Sequence, residues 1–188
     1  MLILASQSPR RRELLSRLGL PFAVRAADLD ETMDPSLPPE AEVARLSREK
    51  ALAISSDPQD IVIAADTIVV LGGVRLGKPH SKEEAAKMLR LLSGRDHEVI
   101  TGYTVLKDGQ PITKTETSHV FFRDLSESEI AAYIESGEPM DKAGAYGIQG
   151  LGALFVRRLE GDYYNVMGLP LCALYETLKS LGVPVPGA

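Results

Sequence analysis

Cysteine is almost missing from this chain of 188 residues: Cys172 stands alone. That excludes an internal disulfide framework and any multi-cysteine zinc site, and makes a reducing compartment the simpler setting. Histidine is equally thin, with His80, His97 and His119 far apart and in no HExxH-like ligand spacing. No apolar run reaches membrane-spanning length, and the first apolar segment is far too short for a signal-peptide core. The expectation is a cytoplasmic protein that engages no membrane. Positive charge is also in deficit, 21 Lys and Arg against 26 Asp and Glu for a net −5, which argues against general nucleic-acid binding. Any anion site must then be a local pocket. Against these absences, 44% hydrophobic and 25% charged residues are those of a soluble globular protein. The length suits one domain or two closely packed lobes.

The most informative stretch comes first. Leu2 to Ala5 reads as a short strand, Ser8 as an N-cap, and Pro9 as the first helical residue, where its missing N–H costs nothing. Arg10, Arg11 and Arg12 then crowd the positive end of a helix dipole, which makes sense if an anion sits there. Leu14, Leu15 and Leu18 form the buried stripe and Arg11 falls on it one turn earlier, so Arg11 is expected to point inward. Helix N–H groups plus an inward guanidinium make a phosphate or carboxylate site; three solvated surface arginines are the alternative. Gly19 ends the helix, and Phe22 to Arg25 gives a second strand.

The acidic loop Ala27-Asp28-Leu29-Asp30-Glu31-Thr32 follows. Such clusters are commonly just solvated, yet loops are also where oxygen ligands for Mg²⁺ or Mn²⁺ are presented. A helix is expected from about Glu40 to Ser56, with Val43, Leu46, Ala53 and Ile54 on one face and Lys50 in its middle. An ammonium there must snorkel outward or meet a negative partner. Ile61 to Leu71 is the most hydrophobic stretch and reads as buried strand, interrupted by Asp66. An unpartnered carboxylate there needs a cation, several donors or a raised pKa, and a break in the strand would best provide them; a structural aspartate capping a turn is the alternative. Thr67 points to the opposite strand face.

Gly72-Gly73 marks a hairpin between Val69-Val70-Leu71 and Val74-Arg75-Leu76. Lys78 follows on the stiff Gly77-Lys78-Pro79 loop. Ser81 to Glu84 and Ser126 to Glu129 read as capping boxes for two helices. Between those helices, His97 to Lys107 and Ile112 to Arg123 pair around Asp108-Gly109, making the sheet mixed. This middle third carries no candidate chemistry. From Asp141 to Gly152 runs a loop with four glycines, suited to close backbone approach. It is not a dinucleotide fingerprint, because its spacing is GxxGxG and a strand follows where a helix is required. Gln149 within it has the donors and acceptors to read a base edge. Ala153 to Leu159 and Tyr163 to Met167 are expected to form a last hairpin, and Pro170 to stand near the first position of a closing helix.

Ser6-x-Ser8-Pro9-Arg10-Arg11, Ala65-Asp66-Thr67, Gly77-Lys78-Pro79 and Asp141-Lys142-Ala143-Gly144-Ala145-Tyr146-Gly147-Ile148-Gln149-Gly150 together resemble, in order, the Maf family of nucleoside triphosphate pyrophosphatases. The resemblance implies an α/β fold like that of inosine-triphosphate pyrophosphatases: an elongated, twisted, mixed sheet with flanking helices, residues 1–188 forming one Maf-like domain whose two lobes enclose a nucleotide cleft. It implies hydrolysis of a nucleoside triphosphate to the monophosphate and pyrophosphate with a divalent cation, Mg²⁺ or Mn²⁺. Asp66 matches the catalytic carboxylate, and Ser6, Arg11, Glu31, Lys50, Lys78 and Gln149 match positions lining the site. Arg10, Thr67 and Gln149 look like the set of the branch that prefers dTTP and UTP.

On that resemblance the triphosphate would be held by Ser6, Ser8 and Arg11, with Lys50 and Lys78 offsetting its charge. Glu31 and Asp66 would hold the metal for water attack at the α-phosphorus, while Arg10, Thr67 and Gln149 select the pyrimidine. Family members are often dimeric, so a homodimer is in view. Two other readings stay open: a purine enzyme acting on ITP or 7-methyl-GTP, and a nucleotide-sensing regulator of septum formation without significant catalysis.

Overall fold

In the computed structural model, residues 1–26, 29, 31–54 and 57–185 are described. They divide into two compact units: Met1–Asp66, Thr101–Glu116 and Gly168–Ala188 in the first, Thr67–Ile100 and Thr117–Met167 in the second.

The first unit begins with β1 (Leu2–Leu4), whose three residues are all buried. Helix α1 (Pro9–Ser16) follows; the Ser8 side chain accepts from the Arg11 amide and Pro9 opens the helix. Leu14 and Leu15 are fully buried, as their spacing demands. Strand β2 (Phe22–Val24) lies parallel to β1. On its other side β1 pairs in parallel with the start of β3 (Ile61–Leu71), Leu2 opposite Ile61. Helix α2 (Pro39–Leu52) buries Val43, Leu46, Lys50 and Ala51. It stops earlier than the periodicity predicts: the Ile54 amide turns to the Ala51 carbonyl at 3.4 Å, tightening the last turn and leaving Ala53 exposed. Ser56, its expected end, lies outside the described residues.

Ile3, Ala5, Ala51, Ile54, Val62, Ala64 and Leu106 pack into one cluster. Ile3 and Ala5 are alternate residues, as are Val62 and Ala64, so each strand turns one face to this cluster. Asp66 is next on the β3 face. The expected break at Asp66 does not occur, and β3 is continuous through it; its charge is met by a lysine from α2, so the backbone has no need to leave the sheet.

The second unit contains the rest of β3, joined through Gly72 and Gly73, both at positive φ, to antiparallel β4 (Val74–Leu76). Helix α3 (Lys82–Leu92) is capped by Ser81, which accepts from the Glu84 amide. The return half of the expected capping box goes elsewhere, since Glu84 accepts from the His80 amide at 2.8 Å. Strands β5 (Asp96–Lys107) and β6 (Gln110–Phe122) form the long hairpin around Asp108 and Gly109, both at positive φ, with residues Thr101–Glu116 belonging to the first unit and the outer ends of the strands to the second. They continue a seven-stranded sheet of order β2-β1-β3-β5-β6-β7, with β4 beside β3. Helix α4 (Glu127–Glu135) has the full capping box of Ser126 and Glu129. Strand β7 (Val156–Glu160) runs antiparallel to β6.

The last hairpin is not formed as expected. Leu151–Phe155 is a 3₁₀ turn and Tyr163–Met167 is a helix, α5. Asp162 accepts from the Tyr164 amide at 2.7 Å, starting that helix as a cap does. Asn165 is turned into the interior, donating to the Val99 carbonyl and to Ser118. Helix α6 (Leu171–Ser180) returns to the first unit, with Pro170 at its N-cap rather than inside its first turn. Among the described residues no helix is long and apolar enough to cross a membrane.

Candidate active site

Ala5 still donates to the Ile63 carbonyl at 2.7 Å, so the chain leaves the sheet at Ser6, which is buried. The Ser6 hydroxyl oxygen accepts from the Ser8 amide at 3.2 Å and from Arg11 Nη1 at 3.4 Å. Arg11 Nε donates to the Gly168 carbonyl at 2.8 Å. Arg11 is therefore turned inward, as its place on the leucine stripe predicts, while Arg10 is half-exposed and Arg12 exposed. Burial lowers the Arg11 pKa; Asp66 and Glu31 act against that shift and Arg10 adds to it. Guanidinium pKa values are high enough that Arg11 remains a cation.

Lys50 projects from α2 beside Ala51, which is fully buried in the core cluster. Its Nζ lies 2.7 Å from Asp66 Oδ1 and 3.0 Å from Glu31 Oε1. The Lys50 and Asp66 side chains are only 10% and 16% exposed, Glu31 55%. Of the ways to tolerate a carboxylate in β3, the structure uses a cation. Asp28 and Asp30 of the acidic loop lie outside the described residues.

Two residues that sequence reasoning passed over act here. Glu42, fully buried on α2, accepts from the Asp34 amide at 3.0 Å and from Arg45 Nη2 at 2.7 Å. Arg45 Nη2 also donates to the Thr32 carbonyl at 3.1 Å. The pair fastens the backbone immediately after Glu31. Its sequence signal is Glu42, Arg45 and Glu49 at three- and four-residue spacing, which reads equally well as an exposed helix face.

Ser6, Ser8, Arg11, Glu31, Lys50 and Asp66 thus form one cluster within the first unit, with Arg10 acting on Arg11. Thr67, Lys78 and Gln149 belong to the second unit. Thr67 follows Asp66 in β3 and is half-buried. Lys78 is exposed, with no hydrogen-bond partner among the described residues. Its loop is joined to the glycine-rich segment by the Gly144 amide, which donates to the Gly77 carbonyl at 3.0 Å. Gly144 is at φ +69°, and a Cβ there would press on Val69, 3.0 Å from its Cγ2. Gln149 is exposed on a turn closed by the Gly150 amide donating to the Gly147 carbonyl at 3.3 Å.

Among the described residues no group of three or more His, Cys, Asp or Glu gathers to hold a metal. Glu31 and Asp66 nonetheless converge on one ammonium. Their carboxylate oxygens are the donor type that a hard cation such as Mg²⁺ takes, and in this structure the Lys50 ammonium stands between them.

A profile of the Maf family, described as Maf-like protein, matches residues 1–181. A Geobacillus protein named dTTP/UTP pyrophosphatase is 51% identical over 182 residues, covering 96% of this chain and 98% of its own length. A Moorella thermoacetica protein of the same name is 51% identical over 190 residues, covering 99% and 97%. Among solved structures, a HAM1 protein from Coxiella burnetii superposes with a TM-score of 0.52 over 95% of this chain and 98% of that one. At 16% identity that likeness is one of fold, and it agrees with the mixed α/β architecture described above. From β1 through α6 the sequence carries the family pattern: the chain belongs to the Maf family.

Proposed function

We propose that this protein hydrolyses dTTP and UTP to the nucleoside monophosphate and pyrophosphate by water attack at the α-phosphorus. The observation that carries the reading is the Lys50 ammonium held between Asp66 and Glu31, in the unit where Arg11 is turned inward beside the N-terminus of α1. The names of relatives 51% identical over nearly their whole length support the choice of substrates.

The first-turn N–H groups of α1, the hydroxyls of Ser6 and Ser8, and the Arg11 guanidinium bind phosphate oxygens. Arg11 is already fixed by Gly168 and Ser6, so little reorganisation accompanies binding. Lys50 orients the Asp66 carboxylate and, with Lys78, offsets the charge of the polyphosphate. Asp66 accepts the proton of the attacking water. Glu31 and Asp66 would hold Mg²⁺ or Mn²⁺, which when bound supplies Lewis acidity toward the phosphoryl oxygens. Arg10, Thr67 and Gln149 select the pyrimidine. We place the reaction in the cytoplasm, with a homodimer as the assembled state and no role for nucleic acid, in keeping with the net charge of −5.

The test is a pyrophosphate-release assay with Mg²⁺ or Mn²⁺ over dTTP, UTP, ITP and 7-methyl-GTP in isotopically labelled water. Fastest turnover is expected with dTTP and UTP, with the label in the monophosphate. Faster turnover of either purine overturns the substrate assignment, and label in the pyrophosphate overturns attack at the α-phosphorus. Failure to release pyrophosphate from any nucleotide favours a regulator that only senses nucleotide.

A further inference from the structure

The turn that presents Gln149 is held at both ends by one pair of side chains from outside it. On its leading side the Gly147 amide donates to the Tyr133 hydroxyl at 3.0 Å. On its trailing side the Leu151 amide donates to Glu138 Oε2 at 2.9 Å and the Gly152 amide to Glu138 Oε1 at 3.1 Å. The two anchors are themselves joined, Tyr133 donating to Glu138 Oε1 at 2.8 Å. Tyr133 comes from α4 and Glu138 from the 3₁₀ turn Glu138–Asp141 that follows it. A carboxylate is needed here because both its oxygens accept and neither donates.

The turn packs closely against both anchors. A Cβ on Gly150 would lie 2.4 Å from Glu138 Oε2, and one on Gly152 would lie 2.6 Å from the Gly147 carbonyl oxygen and 2.8 Å from the Tyr133 hydroxyl oxygen. The glycines are therefore small so that the turn can close onto the carboxylate and phenol, and the exposed Gln149 side chain is left at its tip. Burial works against the charged form of Glu138, yet the two backbone N–H groups and the Tyr133 hydroxyl hold its pKa below the usual carboxylate range. The carboxylate stays an acceptor across the neutral range.

We infer that Glu138 and Tyr133 are positioning residues for nucleobase selection, setting where the Gln149 amide stands without touching the nucleotide. The inference rests on the proposed role of Gln149 in reading a pyrimidine edge. A uracil or thymine ring and a cytosine ring differ along one edge, where a carbonyl oxygen and an N3–H donor stand in place of an amino group and an N3 acceptor. An amide can distinguish them only if its place is fixed to within a hydrogen-bond length.

The experiment compares kcat/KM for UTP and CTP in the wild type, Gln149→Ala, Glu138→Gln, Tyr133→Phe and the double variant Glu138→Gln with Gln149→Ala. Glu138→Gln turns an acceptor into a donor facing a backbone N–H, and Tyr133→Phe leaves the Gly147 amide without its acceptor. Gln149→Ala is expected to lower the UTP preference about 10-fold, the size of one well-placed hydrogen bond. Glu138→Gln should lower it by a similar factor and Tyr133→Phe by less. Their kcat for UTP should stay within about threefold of wild type, since neither residue belongs to the Lys50 and Asp66 cluster. The double variant should lose no more preference than Gln149→Ala alone. Tyr133→Phe, which removes one oxygen, keeps the test available if Glu138→Gln fails to fold.

If Gln149→Ala lowers the preference but neither anchor variant does, the positioning role is overturned and the reading of Gln149 stands. If Gln149→Ala leaves the preference intact, both fall together. If the double variant loses the product of the single losses, Glu138 acts by some route other than Gln149, and the inference is again overturned.

Discussion

The two units place their candidate site residues by different means. In the first, opposite charges are set against one another: buried Lys50 between half-buried Asp66 and exposed Glu31, and the guanidinium of Arg45 against fully buried Glu42. In the second, neutral or hydrogen-bonded groups hold backbone. Tyr133 and Glu138 take the amides of the glycine-rich turn, and His97 is buried as part of an aromatic cluster with Phe122 and Tyr146. Charge pairs give a strong local field whose balance one substitution can upset. Backbone anchoring gives a shape that survives loss of any one bond but loses precision. Chemistry should therefore fail abruptly in the first unit and selectivity gradually in the second.

The sharpest way to break that contrast is Lys50→Ala. Removing the shared cation leaves Asp66 and Glu31 without their partner, so pyrophosphate release should fall by about 10²- to 10³-fold, the usual size for one preorganised electrostatic contact. Urea unfolding should show a loss of about 2 kcal/mol, less than for a fully buried pair because all three side chains keep some solvent. A variant with near wild-type turnover would remove Lys50 from the site.

His97 tests the burial of an uncharged imidazole in the second unit. Its Nε2 is 2.8 Å from the Tyr146 hydroxyl, and burial pushes its pKa down to about 4, with Asp96 opposing. The unfolded imidazole titrates near 6.5, so between those values the unfolded chain binds a proton that the native one refuses. This contribution is complete above about pH 6.5 and is lost as pH falls toward 4, amounting to about 3 kcal/mol at the lower end. Denaturation midpoints measured across that range should fall steeply for the wild type and less steeply for His97→Phe. Equal slopes would contradict the buried neutral state.

A smaller effect is expected at Gly144. Alanine there must adopt φ near +69° and press on Val69, so Gly144→Ala should cost about 1–2 kcal/mol, with a loss of UTP preference exceeding the loss in kcat. Smallest is Ser126→Ala, which removes one half of the α4 capping box and should lower stability by about 1 kcal/mol with turnover unchanged. Thermal unfolding beside a dTTP assay measures both.

Charge in an apolar setting was legible from sequence. Arg11 on a leucine stripe, Lys50 on a core-facing helix face and Asp66 in the most hydrophobic strand each break a pattern, and a broken pattern can be read without coordinates. The structure brings those three into one cluster. Less visible was what needs no broken pattern. Glu42 and Arg45 follow ordinary helix-surface spacing, and Glu138 precedes a proline in what looks like a plain turn. Their partners are backbone groups outside the local turn, the Asp34 amide and Thr32 carbonyl for Glu42 and Arg45 and the Leu151 and Gly152 amides for Glu138, which periodicity does not encode. Two local readings yielded to tertiary context. Asp66 needed no strand break once Lys50 met it, and Tyr163–Met167 became a helix because Asp162 caps it while buried Asn165 bonds to Val99 and Ser118.

The central claim, that Asp66 takes a proton in the chemical step, is tested most directly by Asp66→Asn with dTTP binding and turnover measured on the same preparation. Asparagine keeps an oxygen for Lys50 but makes a far weaker base. dTTP affinity should stay within about threefold while kcat falls by about 10²- to 10⁴-fold. Unchanged kcat in a variant that binds dTTP normally would contradict the assignment.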